Sequence, residues 1–179
     1  MKQKAKKYPF LDLVIDVFYS IILYNAFTAF PGFKLEAGLM AVAIFVMINY
    51  WWGSRSFLEL PKHYIVDFYM ITIVMFIFAQ WANYFTDVTG FLYVFAVFFA
   101  FEAVYSTIDI FAHKEKKDEP SLKFYIIIDS LCAAAYLLEA LFIKELTWIS
   151  LVLIVVPYLI FLGLCIKKKL FRPVFVSID

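Results

Sequence analysis

Residues 148–169 read WISLVLIVVPYLIFLGLCIKKK. Nothing from Trp148 to Ile166 carries a charge, and Lys167, Lys168 and Lys169 close the run. At about 1.5 Å of rise per residue, a helix of this length crosses the roughly 30 Å hydrocarbon core of a bilayer. It is apolar on all sides, so it has no polar face to turn toward water. Pro157, near its middle, predicts a kink, because proline cannot donate to the preceding turn. Working back along the chain, turn and charge signals set off five more runs of the same kind. The expected spans are about 10–30, 37–52, 61–84, 89–111, 120–143 and 148–166. Pro31-Gly32 stops the first and Gly53-Ser54 the second. Pro61 opens the third as a first-turn proline, and the polar run His113–Glu119 separates the fourth from the fifth.

Composition leads to the same class. The 179 residues are 65% hydrophobic and 21% aromatic, with a mean hydropathy of +0.85. A soluble domain is about 45–50% apolar, and the excess here comes in long runs rather than amphipathic stripes. Six spans with short loops nearly use up the chain, so no separate soluble domain is expected. The basic start MKQKAKKYPF leads into an apolar run, as a signal peptide would. That run stays apolar for about 20 residues, carries Asp12 and Asp16, and lacks a small-residue cleavage site, so it reads as a retained first span.

Orientation follows from the basic residues of the loops. Fourteen of the 16 Lys and Arg fall on one side: Lys2, Lys4, Lys6, Lys7, Arg55, Lys62, Lys114, Lys116, Lys117, Lys123, Lys167, Lys168, Lys169 and Arg172. Only Lys34 and Lys144 fall on the other. An even number of spans returns the chain to its starting side. The expectation is therefore an all-α polytopic membrane protein of six transmembrane helices, with both termini cytoplasmic, in the cell membrane. Trp51, Trp52, Trp81 and Trp148 are expected as interfacial anchors. The aromatic run FAVFFAFE (95–102) is expected as lipid-facing or packed apolar surface. Glycine is too scarce for GxxxG packing to dominate.

The residues that call for chemistry are carboxylates within or near the spans: Asp12, Asp16, Asp67, Glu102, Asp109, Asp129 and Glu139. An ionised side chain at the bilayer centre costs about 2.5–3.5 kcal/mol on insertion scales, so such residues face a bundle interior, a partner or water. Asp16, Asp67 and Asp129 lie roughly 9–13 Å inside the cytoplasmic ends of their spans, counted at about 1.5 Å per residue. Asp12 and Asp109 are shallower, Glu102 is nearest the midplane, and Glu139 leans to the far side. Asp12 and Asp16 are spaced i,i+4, and Glu102 and Asp109 i,i+7, so each pair shares one helix face. No Lys or Arg lies deep in a span to neutralise them.

Three functional classes accommodate this pattern. One is a cation or proton pathway with an acidic vestibule open to the cytoplasm. The second is a non-conducting scaffold or subunit whose carboxylates pair with Arg55 or Lys62 and with neighbouring hydroxyl and indole groups. The third is a metal-dependent membrane enzyme, against which stand two interfacial histidines without ligand spacing. Cys132 and Cys165 show neither disulfide nor metal spacing and read as small buried hydrophobes. No phosphate-binding glycine loop, nucleophile elbow or voltage-sensor arginine repeat is present. The basic residues 167–173, KKKLFRP, read as a topology signal.

The stretch Asp12-Leu13-Val14-Ile15-Asp16-Val17-Phe18-Tyr19 resembles the E-L-F-F-D-L-V-F opening of the low temperature requirement A family. Tyr50-Trp51-Trp52-Gly53-Ser54-Arg55-Ser56-Phe57 is similar to that family's Trp-rich segment, which an acidic residue follows, here Asp67. Residues 10–70 also resemble prokaryotic six-helix members of the lysosomal-type potassium channel family, with Val14-Ile15-Asp16 at the place of a Phe-Ser-Asp motif. The resemblance implies a homo-oligomer whose first helix lines a pore. In it Asp16 would bond to the Trp51/Trp52 region and orient that helix, and Ile22 with neighbouring aliphatics would form a constriction. Arg55 belongs to the same segment. The expected partners are the lipid bilayer, monovalent cations or protons, and further copies of the chain. No nucleic acid, cofactor, metal or catalytic residue is expected.

Overall fold

The computed structural model describes residues 9–28, 34–58, 64–81, 84, 86–113 and 119–168. Among these, all regular structure is helical. The helices are α1 (Pro9–Thr28), α2 (Glu36–Leu58), α3 (Tyr64–Trp81), α4 (Val88–His113), α5 (Glu119–Phe142) and α6 (Trp148–Lys167). Each expected run corresponds to one of them in order. Three stretches of described residues are long and apolar enough to cross a membrane: Val88–Ile108, Leu122–Phe142 and Trp148–Lys167. The apolar stretches Leu13–Thr28, Glu36–Trp51 and Thr72–Trp81 are shorter.

Local chemistry explains where several helices begin and end. Asp87 caps α4, its Oδ1 accepting from the Thr89 N–H at 3.1 Å, as expected of an Asp N-cap. Gly90 lets this turn close, because a Cβ there would run into the Tyr84 ring and the Asp87 carboxylate. Thr147 caps α6 through a reciprocal pair with Ser150, each side chain accepting from the other's backbone N–H. α2 differs from expectation by running through Gly53 to Leu58. One glycine costs a helix about 1 kcal/mol relative to alanine, too little to end it. The expected stops at Pro31-Gly32 and the start at Pro61 lie outside the described residues.

α1, α2 and α3 contact one another, α3 packs on α4, α4 on α5, α5 on α6, and α6 returns to α2. α4 and α5 form the most extensive contact. Alanines make this close approach possible: Ala96 and Ala103 on α4, and Ala133 and Ala140 on α5, are all buried. Each pair is two turns apart, so small side chains recur along both facing ridges. Gly38 does the same between α2 and α6, where a Cβ would stand 2.6 Å from Leu151 Cδ2.

The interior is aromatic. Trp81 is 1% exposed, with its ring centroid 4.7 Å from those of Phe78 and Phe95. It is therefore a core residue and not the interfacial anchor expected, whereas Trp148 is largely exposed. Phe95, Phe98 and Phe99 of the 95–102 run are buried too, and Phe99 stacks on Tyr136 at 5.5 Å. Leu, Ile, Val and Phe side chains cover much of the outside, including Ile127, Leu131, Leu138 and Leu141 on α5 and Val152, Leu159 and Ile160 on α6. Apolar surface this extensive fits a lipid surrounding and not water.

Pro157 does not interrupt α6, which stays helical through it. The bond that the proline removes is the one from its own position to the Leu153 carbonyl. One residue on, α5 bonds to α6: the Tyr136 hydroxyl donates to the Ile154 carbonyl at 3.1 Å and also meets the Tyr158 backbone. Tyr136→Phe should cost about 1 kcal/mol, since a buried interhelical hydrogen bond is lost. Thermal or SDS-driven unfolding in micelles would measure it, and an unchanged midpoint would show that this bond contributes nothing.

Candidate functional site

Two adjacent residues of α2 each hold a carboxylate. Trp51 donates its indole Nε1–H to Asp16 Oδ1 at 2.9 Å, tying α1 to α2. Tyr50, one step along the helix and therefore about 100° around it, hydrogen-bonds to Glu102 on α4. α2 thus connects two carboxylates that stand on different helices. The Tyr50 ring is set edge-on against Phe78 at 5.5 Å and Phe98 at 5.6 Å, so aromatic packing aims its hydroxyl.

The Glu102 side chain is partly buried. Its Oε1 is fully buried and finds no hydrogen-bond partner among the described residues. Asp129 on α5, only 3% exposed, lies within electrostatic reach of it. Tyr19 of α1 and Tyr105 of α4 flank Tyr50, and Tyr125 of α5 stands near both Glu102 and Asp129. Asn49 is buried beside Tyr50. Its amide donates to the Phe45 carbonyl at 2.8 Å and meets the Tyr158 hydroxyl, while its Oδ1 is buried without a partner. Five helices therefore contribute polar atoms to one interior region that aromatic rings enclose.

The structure sorts the residues singled out from sequence. Glu102 and Asp129 come together. Asp16 meets Trp51 and lines the outer groove of α1, on a different side of α2 from that pair. Asp12, Asp67 and Asp109 lie on α1, α3 and α4, and Trp52 and Arg55 on α2; their side chains lie outside the described residues. Ile22 is 6% exposed and packs into the core. The outer face of α1 is instead a shallow open groove lined by Leu13, Asp16, Val17, Ser20, Ile21 and Tyr24. Cys132 and Cys165 are both buried thiols. Among the described residues, no group of three His, Cys, Asp or Glu is placed to hold a metal ion.

Sequence reasoning overlooked the tyrosines. Tyr19, Tyr50 and Tyr125 complete the polar region, and each sits in an apolar run as an unremarked aromatic. A signal was available on α5, where Tyr125, Asp129, Cys132, Tyr136 and Glu139 recur at alternating steps of four and three. That spacing places them along one face. Comparison with protein-family models, with curated proteins and with solved structures finds no match to this chain.

The Asp16–Trp51 bond predicts a measurable coupling between α1 and α2. In a double-mutant cycle of Asp16→Ala and Trp51→Phe, the interaction energy should be about 0.6–1.7 kcal/mol, the range for interhelical bonds in membranes. Unfolding in micelles reads it out, and additive single effects would show that the bond contributes nothing.

Proposed function

We propose that this chain is a six-span membrane protein with both termini cytoplasmic, that copies of it assemble, and that it provides a pathway for monovalent cations or protons. One observation carries the reading: among the described residues Glu102 Oε1 is buried and unpartnered, beside a buried carboxylate, Asp129. A network kept only for structure satisfies its acceptors, because a buried acceptor left without a donor costs about 1–3 kcal/mol. An open carboxyl oxygen deep in an apolar bundle is what a migrating proton or cation uses. The scarcity of bases supports the reading, since no Lys or Arg occurs in α4 or between Phe124 and Ile143. The 14-to-2 distribution of Lys and Arg supports the orientation. The resemblance of residues 10–70 to potassium-channel and low temperature requirement A sequences belongs to the same proposal.

A second reading draws on the bonds Trp51–Asp16 and Tyr50–Glu102. In it the carboxylates only hold helices together, and the chain is a scaffold or subunit. Flux separates the two. The purified protein in liposomes should pass cations or protons down an imposed gradient, and Glu102→Gln should change that flux while the unfolding midpoint stays close to wild type. Vesicles that stay tight to every ion, around a folded protein, would reject the pathway and favour the scaffold.

A further inference from the structure

The inward face of α5 carries more than Asp129. Tyr125, Asp129, Cys132, Tyr136 and Glu139 follow one another at steps of four, three, four and three residues. Asp129, Cys132 and Tyr136 are buried, and Tyr125 and Glu139 partly so, whereas Ile127, Leu131, Leu137, Leu138 and Leu141 face outward. Each successive pair lies within electrostatic reach: Tyr125 with Asp129, Asp129 with Cys132, Cys132 with Tyr136, and Tyr136 with Glu139. Residues three and four apart on a helix stand about 5–6 Å apart at Cβ, a gap that one rotating side chain or one water bridges. From Tyr125 to Glu139 the line covers about 21 Å at about 1.5 Å per residue, most of the roughly 30 Å of hydrocarbon.

Both ends of this line carry a carboxyl oxygen with unused acceptor capacity. Glu139 Oε2 is buried without a hydrogen-bond partner among the described residues, as Glu102 Oε1 is near the other end. Glu139 also lies one turn before the end of α5, where the chain passes through Ile143–Thr147 to α6. The groups within reach of the line are Glu102 from α4 and Tyr158 and Cys165 from α6, with Tyr50, Tyr19 and Tyr105 gathered around Glu102. α3 turns Phe78 and Trp81 toward the same interior. Lys144 stands at the Glu139 end, donating to the Ala140 carbonyl at 2.8 Å, and between Tyr125 and Glu139 the line itself has no Lys or Arg.

We propose that the inward face of α5 is a proton route within a single protomer, running from the Glu102–Asp129 pair past Cys132 and Tyr136 to Glu139. The inference rests on the pathway reading above and names the proton as the species carried. At each step one O–H or S–H bond breaks as the next forms. A carboxylic acid becomes a carboxylate as its proton leaves. The Cys132 thiol turns from the Pro157 carbonyl, which it meets at 3.9 Å, and passes its S–H proton toward Tyr136 while receiving one from Asp129. Tyr136 passes its hydroxyl proton to the Glu139 carboxylate while receiving that one, so both groups stay neutral. The Tyr136 hydroxyl must turn from the Ile154 carbonyl to do so, which makes this step the gate. The route lies inside the bundle and requires no passage between copies.

The test uses the full-length chain in liposomes loaded with a pH-sensitive dye, with a potassium gradient and valinomycin setting the voltage. Thallium entry is measured in parallel. Wild type should show proton flux. Glu139→Gln should lower it about tenfold or more, because a broken relay adds at least one barrier of that size, and Glu139→Asp should restore part of it. Tyr136→Phe should lower it as well. A measurement on wild type alone guards against misfolded variants: flux through side-chain O–H groups should slow in D2O beyond the change in bulk proton mobility. Proton flux that Glu139→Gln leaves intact, or that D2O does not slow further, overturns the route but not the pathway reading. Thallium flux without proton flux does the same. A folded wild type that passes neither ion overturns both.

Discussion

Carboxylates buried inside an aromatic bundle must find donors, and α2 provides two of them at consecutive positions. Trp51 serves Asp16 on α1 and Tyr50 serves Glu102 on α4. Adjacent helical residues point about 100° apart, so the pair holds partners on two different sides of α2. The rest of the interior follows from that arrangement. Phe78 and Phe98 clamp the Tyr50 ring, and Trp81 stacks among Phe78, Phe91 and Phe95 behind them. A chain with only five glycines brings its helices together mainly through alanines and aromatic rings.

The bundle is apolar both in its core and over its outer surface. Aliphatic side chains cover the outer faces of α5 and α6, while Asp129, Ser150, Asn49 and Ser106 are buried. In water such a molecule would expose apolar patches far larger than those of typical soluble monomers. In lipid the same surface is solvated, and the polar atoms must meet one another. Among the described residues the interior nevertheless leaves Glu102 Oε1, Glu139 Oε2 and Asn49 Oδ1 without protein partners. Unsatisfied acceptors cost stability, and the one on Glu102, beside Asp129, is the strongest reason to look for a mobile ion here. Near Pro157 the Tyr136 hydroxyl of α5 donates to the Ile154 carbonyl and ties the two helices together.

Helix class and number, and their order along the chain, could be read directly, because long uncharged runs ended by proline, glycine or charge have few alternative structures. Glu102 and Asp129 could be singled out from the cost of placing carboxylates in apolar surroundings, and Asp16 and Trp51 were paired through resemblance alone. What stood hidden was the facing of side chains. With the apolar residues spread all round a helix, periodicity gives no inward direction, so Trp81 could be taken for an anchor. Tyr50 was missed for the same reason: in a run rich in Phe, Tyr and Trp, only neighbours on other helices single out one hydroxyl. α5 is the exception. Its aliphatic and polar residues segregate, and the Tyr125–Glu139 stripe was legible in the spacing. By itself, then, the sequence determined the apolar helices and the acids that had to be sheltered, because burial cost depends on residue type. Only the tertiary structure decided which hydroxyl, indole and carboxyl groups meet, because those meetings depend on how the helices are rotated against one another.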